Sequence, residues 1–223
     1  MWLSNSSIGR KVVMSVTGIA LVLFLTFHML MNLVALFSAE GYNTVCEFLG
    51  TNWYALIGTL ALAALFVIHI VYAFWLTMLN RAARGNERYA VSAKPKTVEW
   101  ASQNMLALGV IVILGLLLHL FNFWYNMMFA ELIGNPMMGG LEATDGYGYI
   151  VQTFSNPVFF VLYIVWLCAL WFHLTHGFWS SMQTLGWNNT TWINRWKCIS
   201  NIYSTIIVLG FMLVAVVFFV KNL

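Results

Sequence analysis

Four histidines lie singly in four different apolar stretches of the sequence, at His28, His69, His119 and His173. An unpartnered polar side chain inside hydrocarbon is costly, so each of these imidazoles needs a partner. Four imidazoles on four successive helices are enough for two metal ions, each bound by two histidines. Haem iron suits such sites, because imidazole is its common protein ligand and the macrocycle fits between apolar helices. The pattern predicts a membrane protein that binds two b-type haems.

Composition supports a membrane location. The 223 residues are 61% apolar and 8% charged, with a mean hydropathy of +0.82, whereas a soluble domain has about 25% charged residues. A helix needs about 20 residues to span the hydrocarbon. We predict an all-α membrane protein, a haem-binding helical bundle, that forms one domain over residues 1–223. Its five transmembrane helices are expected at about 10–38, 53–82, 100–128, 157–186 and 196–221.

The basic residues predict the orientation of the chain. Nine of the ten Lys and Arg residues precede the first span or lie in the connections after the second and fourth; Lys221 is the exception. These nine are Arg10, Lys11, Arg81, Arg84, Arg88, Lys94, Lys96, Arg195 and Lys197. The connections 39–52 and 129–156 hold only acidic charges. By the positive-inside rule, the N-terminus and the basic connections are cytoplasmic and the C-terminus lies outside.

The depths of the histidines predict how they pair. Residues in a helix rise about 1.5 Å each, and successive spans run in opposite directions. Measured from the end that carries Arg10, His28 and His119 lie roughly 27–28 Å along their helices, and His69 and His173 roughly 18–20 Å. We call His28 and His119 the outer pair, because they lie farther from that end, and His69 and His173 the inner pair. Each pair offers two imidazoles from two helices, as bis-histidine ligation of one iron requires.

Small residues near the histidines fit this interpretation. Gly115, Ala73 and Gly177 each lie four residues from a histidine and so share its helix face. They would leave room for a flat macrocycle, with Gly18 and Gly58 acting similarly further along their helices. Close packing between helices explains the same residues equally well.

Two alternatives apply to the histidines themselves. A single intramembrane histidine often bonds to a neighbouring helix or relays protons, but four arranged in two layers favour metal ligation. His176 lies one turn beyond His173 and is interpreted as a core polar residue that can meet a haem propionate, a water or a quinone. Cys46, Cys168 and Cys198 form no C-x-x-C or C-x-x-C-H motif, which disfavours zinc, iron–sulfur clusters and c-type haem. A net charge of +3 gives no indication of nucleic-acid binding.

Two segments carry a family resemblance. The first is S-I-G-R-K-x-x-M-S-x-T-G from Ser7 to Gly18, followed by H-x-x-x-N at His28 and Asn32, and the second is H-L-T-H-G-F-W-S from His173 to Ser180. Over essentially its full length the chain resembles the di-haem cytochrome b anchor of succinate:quinone oxidoreductases, the succinate dehydrogenase and fumarate reductase family. The similar variety is the single-subunit, five-helix type of bacteria.

The resemblance implies ligands, partners and a location. It implies that His69 and His173 bind the haem near the dehydrogenase side, and that His28 and His119 bind the distal haem. A flavoprotein with covalent FAD and an iron–sulfur subunit would dock on the cytoplasmic face of a bacterial inner membrane, with menaquinone as the electron partner and a dimer of complexes possible. The basic connection from Arg81 to Lys96 is the candidate docking surface, although its charges also serve to set topology.

The quinone contacts are predicted less directly. Glu40 and Glu47 are candidates because some members of the family use a glutamate near the outer end, and His176 is a third. Ordinary solvated loop carboxylates are the alternative for both glutamates. Trp171 stands two residues before His173, where some fumarate reductases carry a glutamate for proton transfer.

The predicted function is electron transfer between the iron–sulfur subunit and quinone, with the succinate or fumarate chemistry on a partner subunit. A first alternative is the cytochrome b subunit of another quinone-linked enzyme, such as a hydrogenase or a formate dehydrogenase. A second is a haem-free, proton-coupled transporter whose histidines relay protons.

Overall fold

The computed structural model describes residues 6–84 and 99–223, and the regular structure in them is helical. Five helices are long and apolar enough to cross a membrane, which confirms the prediction of an all-helical chain with five spans and supports a multi-pass membrane protein. The spans are Ser7–Val34, Trp53–Ala83, Met105–Leu132, Pro157–Thr184 and Trp192–Lys221.

The helices are labelled in chain order. The first span is α1 (Ser7–Val34), followed by the short α2 (Ala39–Thr51), and the second span is α3 (Trp53–Arg84). The short α4 (Trp100–Gln103) precedes the third span, which consists of α5 (Met105–His119), a π-helix (Leu120–Phe129) and α6 (Ala130–Leu132). The short α7 (Gly146–Phe154) precedes α8 (Pro157–Thr184) and α9 (Trp192–Lys221), the fourth and fifth spans.

The two acidic connections contain helices that the hydropathy pattern does not indicate. The side chain of Ser38 accepts a hydrogen bond from Gly41 N and caps α2, while Asp145 accepts from Gly148 N and caps α7. Asn43 joins the two helices, since its Nδ2 donates to Asp145 Oδ1 at 2.8 Å and its Oδ1 accepts from Tyr147 N at 2.8 Å. The two helices together form a structured cap over one end of the bundle.

Local backbone geometry also sets the residue at which two of the spans begin. Asn104 has φ −110° and ψ 13°, outside the helical region, so the third span begins at Met105 rather than near residue 100. Pro157 takes the first turn of α8, as predicted, and Asn156 caps that helix by accepting from Val158 N.

Four spans form a ring. Helix α1 packs against α3 and α8, and α5 packs against α8 and, over a smaller area, α3. Helix α9 lies outside the ring against α8 and α1. Helices α1 and α5 therefore face each other across the ring, as do α3 and α8.

Burial is uneven around this ring. The tightest packing lies where α1, α8 and α9 meet, around Val22, Leu167, Leu174 and Val208, and beneath α7. Helix α3 contrasts with this, because none of its residues from 53 to 83 is fully buried. Helix α3 is therefore the span that its neighbours cover least.

Gly115 packs against an aromatic side chain, and it does not border open space for a macrocycle. A Cβ atom at Gly115 would lie 2.0 Å from Cδ1 of Trp166, so the indole fills the space beside this glycine. Trp166 Nε1 donates to Val112 O at 3.0 Å and fixes the ring against α5. The glycine allows α5 and α8 to approach, and the idea that it leaves room for a macrocycle is wrong. Gly177 and Gly58 do face open space, with nothing within 4 Å of an added Cβ.

This contact predicts the effect of one methyl group. Gly115→Ala should destabilise the protein by about 1–3 kcal/mol, because the Trp166 ring must move within a packed interface. Thermal unfolding of the purified protein in detergent measures the change. Gly58→Ala is the matched control and should leave the melting temperature nearly unchanged; equal effects of the two substitutions would contradict the packing argument.

Candidate functional site

The outer pair is brought together across the ring. His28 projects from α1, and His119 is the last residue of α5. Their ring centroids are 5.7 Å apart, and the ring planes are inclined at 83°. The two imidazoles therefore meet in the interior although their helices occupy opposite corners.

The inner pair is arranged in the same way on the other diagonal. His69 projects from α3 and His173 from α8, with ring centroids 6.4 Å apart and an interplanar angle of 69°. The structure thus brings the four histidines into the two pairs that their depths indicate.

The separations suit one metal ion between each pair. A metal–imidazole nitrogen bond is about 2 Å long, so two imidazoles on opposite sides of one ion have ring centres about 6 Å apart. The observed separations of 5.7 Å and 6.4 Å lie close to that value. In the described residues no group of three or more His, Cys, Asp or Glu side chains gathers to hold a metal. A site with two protein ligands matches a cofactor that supplies the remaining donors itself, as haem does.

Flat apolar side chains surround the outer pair. Phe24 stacks on His28 with centroids 5.4 Å apart and an interplanar angle of 14°. Phe123 and Trp166 lie against His119, at centroid distances of 5.1 Å and 5.9 Å. Such walls keep water from the imidazoles and offer aromatic surfaces to a planar group.

A polar contact links the outer pair to the cap. Asn32 Nδ2 donates to the carbonyl oxygen of His28 at 2.8 Å and lies 3.4 Å from His28 Nε2. Asn32 Oδ1 accepts from the hydroxyl of Tyr42 in α2 at 3.3 Å. Burial raises the pKa of Tyr42 well above its usual range, so its hydroxyl stays protonated and remains a donor. The position of His28 is therefore connected to the position of α2.

The inner pair has one partnered and one unpartnered imidazole. Nδ1 of His69 lies 3.1 Å from Oγ1 of Thr17 on α1. Nδ1 of His173 is buried and has no hydrogen-bond partner among the described residues. An unpartnered buried nitrogen is costly in an apolar bundle, so Nδ1 of His173 lacks the support that Thr17 gives to Nδ1 of His69.

The quinone candidates divide between the two ends of the bundle. Glu40 and Glu47 both line an open cavity of about 620 Å³ between α2 and the segment before α7. Further lining residues are Asn43, Thr44, Glu142 and Asp145. His176 lies near the opposite end, where its Nδ1 is 3.6 Å from Glu99 Oε2. The three candidates therefore do not form one site.

Glu99 organises a charged group that the sequence does not reveal. Its Oε1 lies 2.8 Å from Lys197 Nζ, and its Oε2 accepts from Trp179 Nε1 at 3.2 Å. The Lys197 ammonium also lies 4.7 Å from the centre of the Trp179 ring. Glu99 follows a basic connection and precedes an aromatic residue, which is the only sequence signal for this cluster.

Most of the basic connection lies outside the residues that the structure describes. Arg88, Lys94 and Lys96 lie outside the described residues, so the predicted docking surface stays a prediction. At the same end, the guanidinium of Arg10 lies 4.7 Å from the centre of the Trp75 ring and joins α1 to α3.

Comparisons of the chain with protein families, with curated proteins and with solved structures find no match. The case for a function is therefore made from the residues and their geometry.

The Glu99 cluster predicts a pH dependence of stability. Partial burial acts to raise the pKa of Glu99, but Lys197 and the other donors outweigh it, so the pKa lies below its ordinary value. A lowered folded-state pKa contributes stability above the unfolded-state pKa, and that stability is lost as pH falls through the folded-state pKa. Because the pair is half-exposed, Glu99→Gln should cost about 0.2–1 kcal/mol at pH 7.

Thermal unfolding of both proteins from pH 7 into the acid range tests this. The difference between wild type and Glu99→Gln should vanish at low pH. A constant difference at every pH would show that the cluster contributes through packing rather than charge.

Proposed function

We propose that this protein is a di-haem b-type membrane cytochrome that carries electrons between a peripheral redox partner and a membrane quinone. The observation that supports this most strongly is that the four histidines form two pairs. Each pair meets across one diagonal of the four-helix ring, with the imidazole centroids about 6 Å apart. Two haems at two depths would provide a path for electrons along the bundle axis.

The finer assignment rests on the sequence motifs. The S-I-G-R-K-x-x-M-S-x-T-G and H-L-T-H-G-F-W-S segments support the anchor subunit of a succinate:quinone oxidoreductase. On this proposal an iron–sulfur subunit and a flavoprotein with FAD bind the end that carries Arg10, Arg81 and Lys197. The positive-inside rule supports a cytoplasmic location for that end.

The chain's own tasks are binding, orientation and exclusion of water. When bound, each haem would take up and pass on one electron at a time. His28 and His119 would hold the outer haem, and His69 and His173 the inner one. Phe24, Phe123 and Trp166 shield the outer pair from water and lower the polarity around it. Such surroundings, together with hydrogen bonds to the ligands, tune the reduction potential.

Proton exchange belongs near the aqueous surface. The cavity lined by Glu40 and Glu47 lies at the end of the bundle beyond the outer pair, with several carboxylates that can accept protons. Menaquinol that delivers electrons to the outer haem would find proton acceptors there, and menaquinone that receives electrons would take up its protons from the water that reaches this open cavity. This supports Glu40 and Glu47 over His176 as the residues nearest the quinone chemistry.

Removal of single histidines tests the haem assignment. His→Ala at 28, 69, 119 or 173 should reduce the haem content from two per chain to one, because the remaining imidazole of the pair would have to hold its haem alone. A pyridine haemochrome assay on the purified protein gives the count, and reduced-minus-oxidised spectra show which haem is lost. The two outer variants should lose the same spectral component, and the two inner variants the other.

His176→Ala is the matched control and should keep both haems. A wild-type protein without haem would overturn the proposed function. Retention of both haems in a variant would remove that histidine from the ligand set. Co-purifying subunits would separate a succinate dehydrogenase or fumarate reductase from a hydrogenase or formate dehydrogenase.

Substitution in the cavity tests the quinone assignment. Glu47→Gln in the assembled complex should raise the KM for a soluble menaquinol analogue about tenfold, as expected for the loss of one hydrogen bond of about 1.4 kcal/mol. Haem content should not change. Glu131→Gln, near the end of the third span and outside the lining of the cavity, is the control and should leave the KM unaltered. Equal kinetics for both variants would contradict the assignment.

A further inference from the structure

We propose that Thr17 is a positioning residue for the inner haem site, holding His69 with its proton on Nδ1 and its Nε2 free to bind iron. This inference rests on the proposed function, since it assigns a role within the inner site. The role belongs to a hydroxyl on α1, a helix that contributes no ligand to the inner pair.

The Thr17 hydroxyl lies in a well-defined environment. Its side chain is 4% exposed, and Oγ1 lies 2.9 Å from the carbonyl oxygen of Val13 and 3.1 Å from that of Met14. The third neighbour of Oγ1 is Nδ1 of His69, at 3.1 Å. A buried hydroxyl thus has two carbonyl oxygens and one imidazole nitrogen around it.

The number of protons decides the direction of the contact with His69. A hydroxyl has one hydrogen, and a carbonyl oxygen can only accept. When the hydrogen of Thr17 is donated to the preceding turn, as threonines in helices commonly do, its lone pair faces His69. His69 then donates from Nδ1–H.

A neutral imidazole with its proton on Nδ1 has its lone pair on Nε2. That is the form required of a metal ligand, and the hydrogen bond made by one ring nitrogen commonly selects the nitrogen that binds metal. Thr17 would therefore choose the tautomer of His69 before iron arrives, as well as the direction in which the ring points.

Gly18 completes the seat for the imidazole. A Cβ at this position would lie 3.3 Å from Cε1 of His69, which is a tight contact. Glycine lets the ring edge approach α1 closely enough for Nδ1 to reach Thr17. The adjacent residues Thr17 and Gly18 thus serve one purpose, and both fall within the motif that begins at Ser7.

The two ligands of the inner pair differ in this respect. Nδ1 of His173 has no partner in the part of the chain that the structure describes, whereas that of His69 has Thr17. Donation from Nδ1–H to an oxygen makes the opposite nitrogen more basic and favours ferric iron over ferrous iron. Thr17 should therefore hold the inner potential lower than an unassisted pair of histidines would.

Thr17→Val removes the acceptor and nearly preserves the shape. We expect the preference of the inner site for ferric iron to fall about tenfold, which raises the potential of the inner haem by about 59 mV for a one-electron couple. Potentiometric titration of the purified two-haem protein measures this shift. Thr17→Ser should restore the wild-type potential. Thr26→Val is the matched control on α1 and should leave the potential of the inner haem unchanged. Thr26 bonds to Val22 O and Tyr203 rather than to His69.

The outcomes separate this inference from the proposed function. A wild-type protein without haem overturns the proposed function. Two haems with unchanged potentials in Thr17→Val overturn the role of Thr17. Should Thr17→Val fail to fold or lose haem, NMR of the reduced wild type decides. An imidazole that binds iron through Nε2 carries a proton on Nδ1 in any case, so the deciding observation is the hydrogen bond of that proton. A hydrogen-bonded His69 Nδ1–H supports the inference, and an Nδ1–H without a hydrogen bond overturns it.

Discussion

The requirement that governs this structure is the satisfaction of neutral imidazoles in an apolar interior. Each imidazole carries one donor and one acceptor, and no water is present in the hydrocarbon to meet either of them. The histidines accordingly contact each other in pairs across the ring, and neighbouring side chains bond to individual nitrogens, as Thr17 does to Nδ1 of His69. Nδ1 of His173 has no such partner among the described residues.

The arrangement on diagonals has consequences for packing. The imidazoles of each pair reach from opposite corners and occupy the centre of the ring. The well-packed core accordingly lies to one side, between α1, α8 and α9, while α3 is only partly covered. The stability of α3 in the bundle would then depend on the group that its histidine helps to bind, as in proteins whose cofactor binding and folding are coupled.

Much of this architecture is encoded in patterns that sequence alone displays. Hydropathy locates the spans, and the constant rise of a helix turns the positions of His28, His69, His119 and His173 into depths. Hydropathy does not indicate helices α2 and α7, because these helices depend on their caps and on the hydrogen bonds that Asn43 makes between them. For Gly115, helix periodicity tells which face the glycine shares, but it does not choose between a macrocycle and close packing, which Trp166 decides by filling the space before it. The cluster at Glu99 depends on three separated segments meeting, which periodicity within one helix cannot indicate.

The π-helix from Leu120 to Phe129 begins directly after His119, and within it Asn126 Nδ2 donates to the carbonyl oxygens of both Phe121 and Asn122. Segments of this kind arise when one residue more than an α-helix needs is accommodated within the same length. Deleting one residue here would allow a regular α-helix and rotate everything beyond it by about 100° relative to His119. The number of residues in this segment therefore matters more than their identity. Among related chains, we expect substitutions in this segment but few insertions or deletions.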